Sequence, residues 1–267
     1  MDVSEIKQRT AAVWGLGDYT QLSQLLRPAA AALADACAVS AGQEVLDVGA
    51  GDGNFALACA FEGASVVAAD ISPGMVERGR ARSEAEGYDI EWVEGDAEDL
   101  PFEDDRFDCV GSAFGAFIAP RPEVAARELF RVTKPGGTVG MTVWTPNSFT
   151  AQLFEVGRRY APPPEDVPSS LEWGEEGVAQ QRFEGLAGSV VTEVHSMPWA
   201  GESPERALEA MSESMPPQIA VKRALSAEDY ERMQQDNLDL LRRWNSAEDG
   251  TLLIENEFLV IVARKPG

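Results

Sequence analysis

VLDVGAGDGNFALACA, Val45–Ala60, is the stretch that decides the fold. Val45–Val48 reads as a short buried strand. Gly49, Gly51 and Gly53 follow in a turn, and a helix starts near Asn54. Glycines permit positive φ and let a ligand approach the backbone with no Cβ in the way. The helix N-terminus adds free amide donors beside the loop. The spacing is not the G-x-G-x-x-G of dinucleotide sites, because here the glycines stand two residues apart throughout.

Working outward, apolar runs recur at Val66–Ala69, Ile90–Val93, Cys109–Ser112 and Thr138–Trp144. Helical stretches separate them at Phe55–Phe61, Met75–Ala85 and Glu123–Val132. Strands alternating with helices predict a parallel sheet with right-handed crossovers. Asp70 ends the second strand, where a carboxylate can accept both hydroxyls of a ribose. Ile71 can pack against a flat base, and Ser72-Pro73-Gly74-Met75 opens a helix with Ser72 as its cap. Gly95-Asp96-Ala97 follows the third strand, with Leu100-Pro101-Phe102 turning back into the core. FDCVGSAFGAF, Phe107–Phe117, carries the fourth strand to Ser112 at the sheet's carboxyl edge. Lys134-Pro135-Gly136-Gly137 reads as a turn before the fifth strand.

Taken in order and at these spacings across residues 45–144, the four motifs resemble class I S-adenosylmethionine (SAM)-dependent methyltransferases. The resemblance is closest to small-molecule enzymes related to the quinone-biosynthesis C-methyltransferases. It implies an α/β fold: a Rossmann-like, seven-stranded, mostly parallel sheet with helices on both faces, plus N-terminal helices and an inserted helical lid. It implies SAM as cofactor and S-adenosylhomocysteine as product. Gly49, Ala50 and Gly51, with Asp70, Ile71 and Met75, are then expected at the cofactor. Asp96 is assigned to the adenine amino group and the Ala97 amide to a ring nitrogen, and the Ser112 backbone with Ala113–Phe114 is expected near the methionine end.

The remainder organises around this core. Residues 1–40 are expected as an N-terminal helical cap, with Pro28 a kink or boundary, and 41–145 as the cofactor-binding core. Pro162-Pro163-Pro164 marks 146–189 as a variable region that is not helical throughout. Residues 190–267 supply two last strands, Val190–Val194 and Phe258–Ala263. A helical insertion at about 203–245 carries two helices, about 205–214 and 226–244.

The net charge of −23 with no Lys/Arg cluster argues against nucleic acid and for a small neutral or cationic acceptor. No long apolar run predicts a membrane span, and the start, MDVSEIKQRT, does not read as a secretory signal. Cys37, Cys59 and Cys109 share no metal-ligand spacing and read as reduced residues of a cytoplasmic protein, so no metal is expected.

A methyl on a sulfonium is already activated, so alignment and desolvation carry much of the catalysis. No catalytic constellation is evident. His195, the single histidine, is the one candidate base. Aromatic walls for the acceptor are sought among Trp14, Tyr19, Phe117 and Trp144, with Asn147. Tyr160, Trp173, Met197 and Trp199 are further candidates in the variable part. Residues 1–30 and the inserted helices are expected to close over the site. Two alternatives stay open: an NAD(P)-dependent oxidoreductase, which Asp70 would serve equally, and a SAM-binding protein without methyl transfer.

Overall fold

A computed structural model describes residues 2–164 and 167–267. Residues 165 and 166 of the Pro-containing region lie outside the described residues. The chain runs α1 (Val3–Trp14), α2 (Thr20–Ala36), β1 (Glu44–Val48), α3 (Asn54–Phe61), β2 (Ser65–Asp70), α4 (Pro73–Glu86) and β3 (Ile90–Glu94). It continues through β4 (Phe107–Ala113), α5 (Pro122–Val132), β5 (Thr133–Trp144), α6 (Phe149–Tyr160) and α7 (Val178–Arg182). It ends with β6 (Ser189–Gly201), α8 (Pro204–Ser214), α9 (Pro216–Ala224), α10 (Ala227–Trp244) and β7 (Leu252–Arg264). The strands form one seven-stranded sheet in the order β3-β2-β1-β4-β5-β7-β6. It is parallel from β3 to β5 and antiparallel through β7 and β6. Helices cover both faces, as the alternation of elements predicts.

β1 and β2 are buried along nearly their whole length, as parallel strands covered on two faces must be. The chain leaves β1 toward β2 on one side and returns to β4 on the other. The glycine turn therefore opens at the switch point of the sheet, where α/β folds bind ligands.

Several sequence expectations need correction. Pro28 is not a boundary, because α2 continues past it to Ala36. Leu26, Ala29, Ala30 and Leu33 are buried on its inner face, while Pro28 is exposed on the outer one, where its missing amide costs least. The turn at Lys134–Gly137 lies inside β5 as an irregularity, where the β4–β5 register jumps between Phe107↔Thr133 and Cys109↔Thr138. The insertion holds three helices rather than two. α9 was concealed by Met215-Pro216-Pro217, whose prolines sit at the helix start and do not break it.

The last two strands are each 13 residues long, far longer than expected. β5 pairs with β7 only over Phe258–Arg264, whereas β6 pairs with β7 from Leu252 onward. A two-stranded ribbon therefore projects past the end of β5. Its inner residues Leu252 and Ile254 join Phe149 and Leu153 of α6, Met211 of α8 and Leu240 of α10 in a second core, separate from that of the sheet.

Core fit is tightest where α4 meets β3. A Cβ on Gly79 would lie 2.0 Å from the Trp92 ring. The indole cannot swing away freely, since it is buried and donates to Ser83 Oγ at 3.1 Å. Alanine is the better helix former by about 1 kcal/mol, yet overpacking a core costs about 1–3 kcal/mol. Gly79→Ala is therefore expected to lower the urea midpoint; an unchanged or higher midpoint would show that this contact is slack.

Candidate active site

Two cavities meet at the carboxyl edge of the sheet. The first holds about 940 Å³ of empty space, its open mouth included. Its floor is the glycine turn. Gly49 and Gly51 both have positive φ (65° and 58°). A Cβ on Gly49 would stand 2.8 Å from Gly115 Cα, so the two turns touch with no room for a side chain.

Hydrogen bonds fix the turn to the end of β2. Ala69 O accepts from the amides of Gly49 (2.8 Å) and Ala50 (3.0 Å). Asp70 Oδ2 accepts from the Gly51 amide and Asp70 Oδ1 from the Ser72 amide, each at 2.8 Å. The Gly53 amide donates to Ala50 O, and the Ala56 amide at the start of α3 donates to Asp47 Oδ2 (2.9 Å). The turn amides of Gly49, Ala50, Gly51 and Gly53 are thus engaged within the protein, and the Asp47 carboxyl sits beneath the first turn of α3.

Of the residues expected at the cofactor, Gly49, Ala50, Gly51, Asp70, Ile71, Met75, Asp96, Ala97 and Phe114 line this first cavity. Ser112 does not. Its hydroxyl donates to Val48 O (2.6 Å) and accepts from the Ala116 amide (2.7 Å), so it braces the β4 turn from beneath.

Sequence reasoning missed Lys7. It lies on α1, lines the cavity, and bonds Asp96 Oδ2 and Glu98 Oε2, both at 2.6 Å. Burial alone would lower its pKa, but the bonds to Asp96 and Glu98 outweigh this and raise it. The Glu98 carboxylate is fully buried and also accepts from the Arg121 amide and Nε. A lysine 89 residues from its carboxylate leaves no local pattern to find.

The second cavity holds about 1550 Å³ and lies at the seam between the two cores. Trp14, Tyr19, Leu26, Phe114 and Ile118 line both cavities. Phe117, Trp144, Met197 and Trp199 line the second alone. Trp144 stacks on Phe114 at 4.1 Å and 13°. Phe114 has φ 55°, a strained value for a residue with a side chain, and its amide donates to Thr142. Burial, with Asp52 and Asp70 nearby, pushes the Tyr19 hydroxyl well above its ordinary pKa.

The other expected pocket residues lie elsewhere. Asn147 faces a separate depression with Thr145 and Glu257. Tyr160 donates to Asp236, and Trp173 is core, capped by Arg182. His195 lines neither cavity; it stacks on Phe258 with Glu193 3.6 Å away.

Two carboxyls beneath the site give a pH signature. Burial, helped by Asp70 and Asp52 and opposed by the Ala56 amide, pushes Asp47 up from 3.8 to about 8. Burial pushes Asp70 up to about 6, against the pull of the Ser72 and Gly51 amides. Between the unfolded and folded values the native state holds protons that the unfolded chain does not. Stability is therefore greatest at the acid end of this window and falls as pH rises through it. The Asp47 part reaches at most about 1.4 kcal/mol per pH unit. Urea unfolding of the ligand-free chain should weaken from pH 6 to 8, and Asp47→Asn should flatten that slope. Equal slopes in both proteins would show that Asp47 is ionised throughout.

Residues 45–137 match the methyltransferase domain family model. An uncharacterised protein of Mycobacterium tuberculosis is 39% identical over 183 residues, spanning 68% of this chain and 65% of the relative, just under two thirds of its length. A demethylmenaquinone methyltransferase of Clavibacter sepedonicus is 42% identical over 138 residues, covering 52% of this chain and 53% of the enzyme. Among solved structures, a candidate methyltransferase of Bacillus halodurans superposes with a TM-score of 0.61 at 24% identity, over 89% of this chain and 99% of that one. The motif order, the sheet and these relatives agree: residues 45–137 carry a methyltransferase domain, and the seven-stranded sheet has the Rossmann-like fold of solved methyltransferases.

Proposed function

We propose that the protein is a SAM-dependent methyltransferase acting on a small-molecule acceptor. The observation that carries the reading is the first cavity: a floor that lacks side chains at Gly49 and Gly51, flanked by carboxylates at 70 and 96, opening directly onto a second cavity. When bound, SAM supplies a methyl group on a sulfonium, open to in-line displacement.

The chain's own residues would hold and shield it. An ionised carboxylate offers about four lone-pair sites, so Asp70 keeps capacity for two ribose hydroxyls after accepting two amides. Asp96, held by Lys7 and by the Glu98 amide, would take the adenine amino group. Trp14, Tyr19 and Phe114 wall the junction and exclude water around the sulfonium. No proton transfer by the protein is needed if the acceptor's nucleophile arrives unprotonated. The glycine spacing, two residues apart throughout, counts against a dinucleotide, and the net charge of −23 counts against nucleic acid as acceptor.

Calorimetry with the purified chain tests the reading. S-adenosylhomocysteine should bind saturably at one site and NAD should not; binding of NAD alone would overturn the proposal. Transfer of label from SAM to an added acceptor then separates an enzyme from a mere binder. Lys7→Met frees Asp96 and unties α1, so affinity for S-adenosylhomocysteine should drop about tenfold, or 1.4 kcal/mol. Unaltered affinity would remove Lys7 and its ion pair from the site.

A further inference from the structure

We propose that the second cavity takes a neutral, mainly apolar acceptor that is larger than one ring and presents a flat ring system toward the cofactor. The inference rests on the methyltransferase reading for the direction in which the acceptor faces.

Size comes first. The second cavity offers about 1550 Å³ against about 940 Å³ for the first. Both figures include the open mouths, and a compact metabolite would touch only part of the longer wall of the second cavity.

Charge comes next. The chain carries a net charge of −23, yet no Asp or Glu lines this cavity among the described residues. A cation would find rings but no carboxylate, and desolvation would be left uncompensated. The charged lining residue is Arg158, and its guanidinium already donates to Glu155 Oε1 (2.8 Å) and Ser169 Oγ (2.6 Å). A phosphate or carboxylate would therefore compete with an existing ion pair. The rest of the wall is Leu153, Phe154, Met197, Val221 and Met233, which offers dispersion and hydrophobic contact.

Polar groups then set orientation. Asn256 and Thr150 bond each other. Gln218 Oε1 is shielded from solvent and has no bonding partner among the described residues. At the join with the first cavity, the Phe114–Trp144 stack favours a planar group, which can extend the stack or meet its edge.

Gly157 provides the test. It lies on α6 and lines the second cavity, and a Cβ there would meet nothing within 4 Å. Gly157→Leu should therefore fill the space without strain. The probe is N-phenyl-1-naphthylamine, a neutral two-part aromatic fluorophore, added to the full chain with S-adenosylhomocysteine. Saturable enhancement is expected, reversed by 4-nonylphenol but not by excess glycine betaine or phosphocholine. Gly157→Leu should weaken the probe by roughly tenfold while leaving S-adenosylhomocysteine affinity unchanged.

If S-adenosylhomocysteine binds but the probe does not, or Gly157→Leu leaves the probe untouched, or the charged compounds displace it, the acceptor proposal fails and the methyltransferase reading stands. If S-adenosylhomocysteine does not bind, that reading fails instead, and the same displacement series on the ligand-free chain still decides the chemistry of the cavity.

Discussion

The carboxylate of Asp70 joins strand, loop and helix, and the site depends on that junction. It ends β2, takes the Gly51 amide from the glycine turn and takes the Ser72 amide at the start of α4. Burying a carboxylate is costly, and two amide bonds offset part of the cost. The remainder appears as the shift to about 6, which still leaves the group ionised at neutral pH. The turn it anchors keeps positive φ at Gly49, Gly51 and Gly53. Gly49 then comes close enough to Gly115 to bring the β4 turn, and with it Phe114, over the same cavity.

The second consequence comes from unequal strand lengths. β6 and β7 outrun β5, and the exposed ribbon must bury its inner face. α6, α8 and α10 meet that need and make a second core. Two cores that share a sheet but not their packing leave a seam, and the larger cavity lies in it, with Phe149 and Met233 on one side and Phe117, Trp144 and Met197 on the other. The second cavity is thus a product of the insertion, whereas the first is a product of the sheet.

This division explains what the sequence reveals. The parallel strands are short apolar runs punctuated by glycine or aspartate, so β1 to β4 and the glycine turn are readable from local pattern. β7 was readable further than it was read, because Leu252, Ile254 and Asn256 alternate with more exposed neighbours. β6 was not: Pro198 reads as a stop, and only its place on the sheet edge, where a missing amide breaks no ladder, permits it. Ser112 and Asn147 stand close in sequence to the right turns but point away from the cavities, which side-chain direction decides and spacing does not. Lys7 finds its carboxylates only once α1 has folded across the sheet edge.

The two sides of the junction are held by different forces. On the sheet side, Phe114 is over-determined: its amide is bonded to Thr142, its ring is stacked on Trp144 and the next residue is packed on Gly49. Strain at φ 55° persists only where the surroundings impose it, and such positions cluster at functional sites. On the other side, α1 rests on a few polar ties: Lys7 to Asp96 and Glu98, and the chain after α1 on Arg78, which grips Gly15 O and Gly17 O. Beside that chain, Gly17 leaves room for Ile219 of α9, whose neighbour Gln218 lines the acceptor cavity. The covers over the two cavities therefore touch, so that displacing α1 would disturb both while the β4 turn stayed fixed.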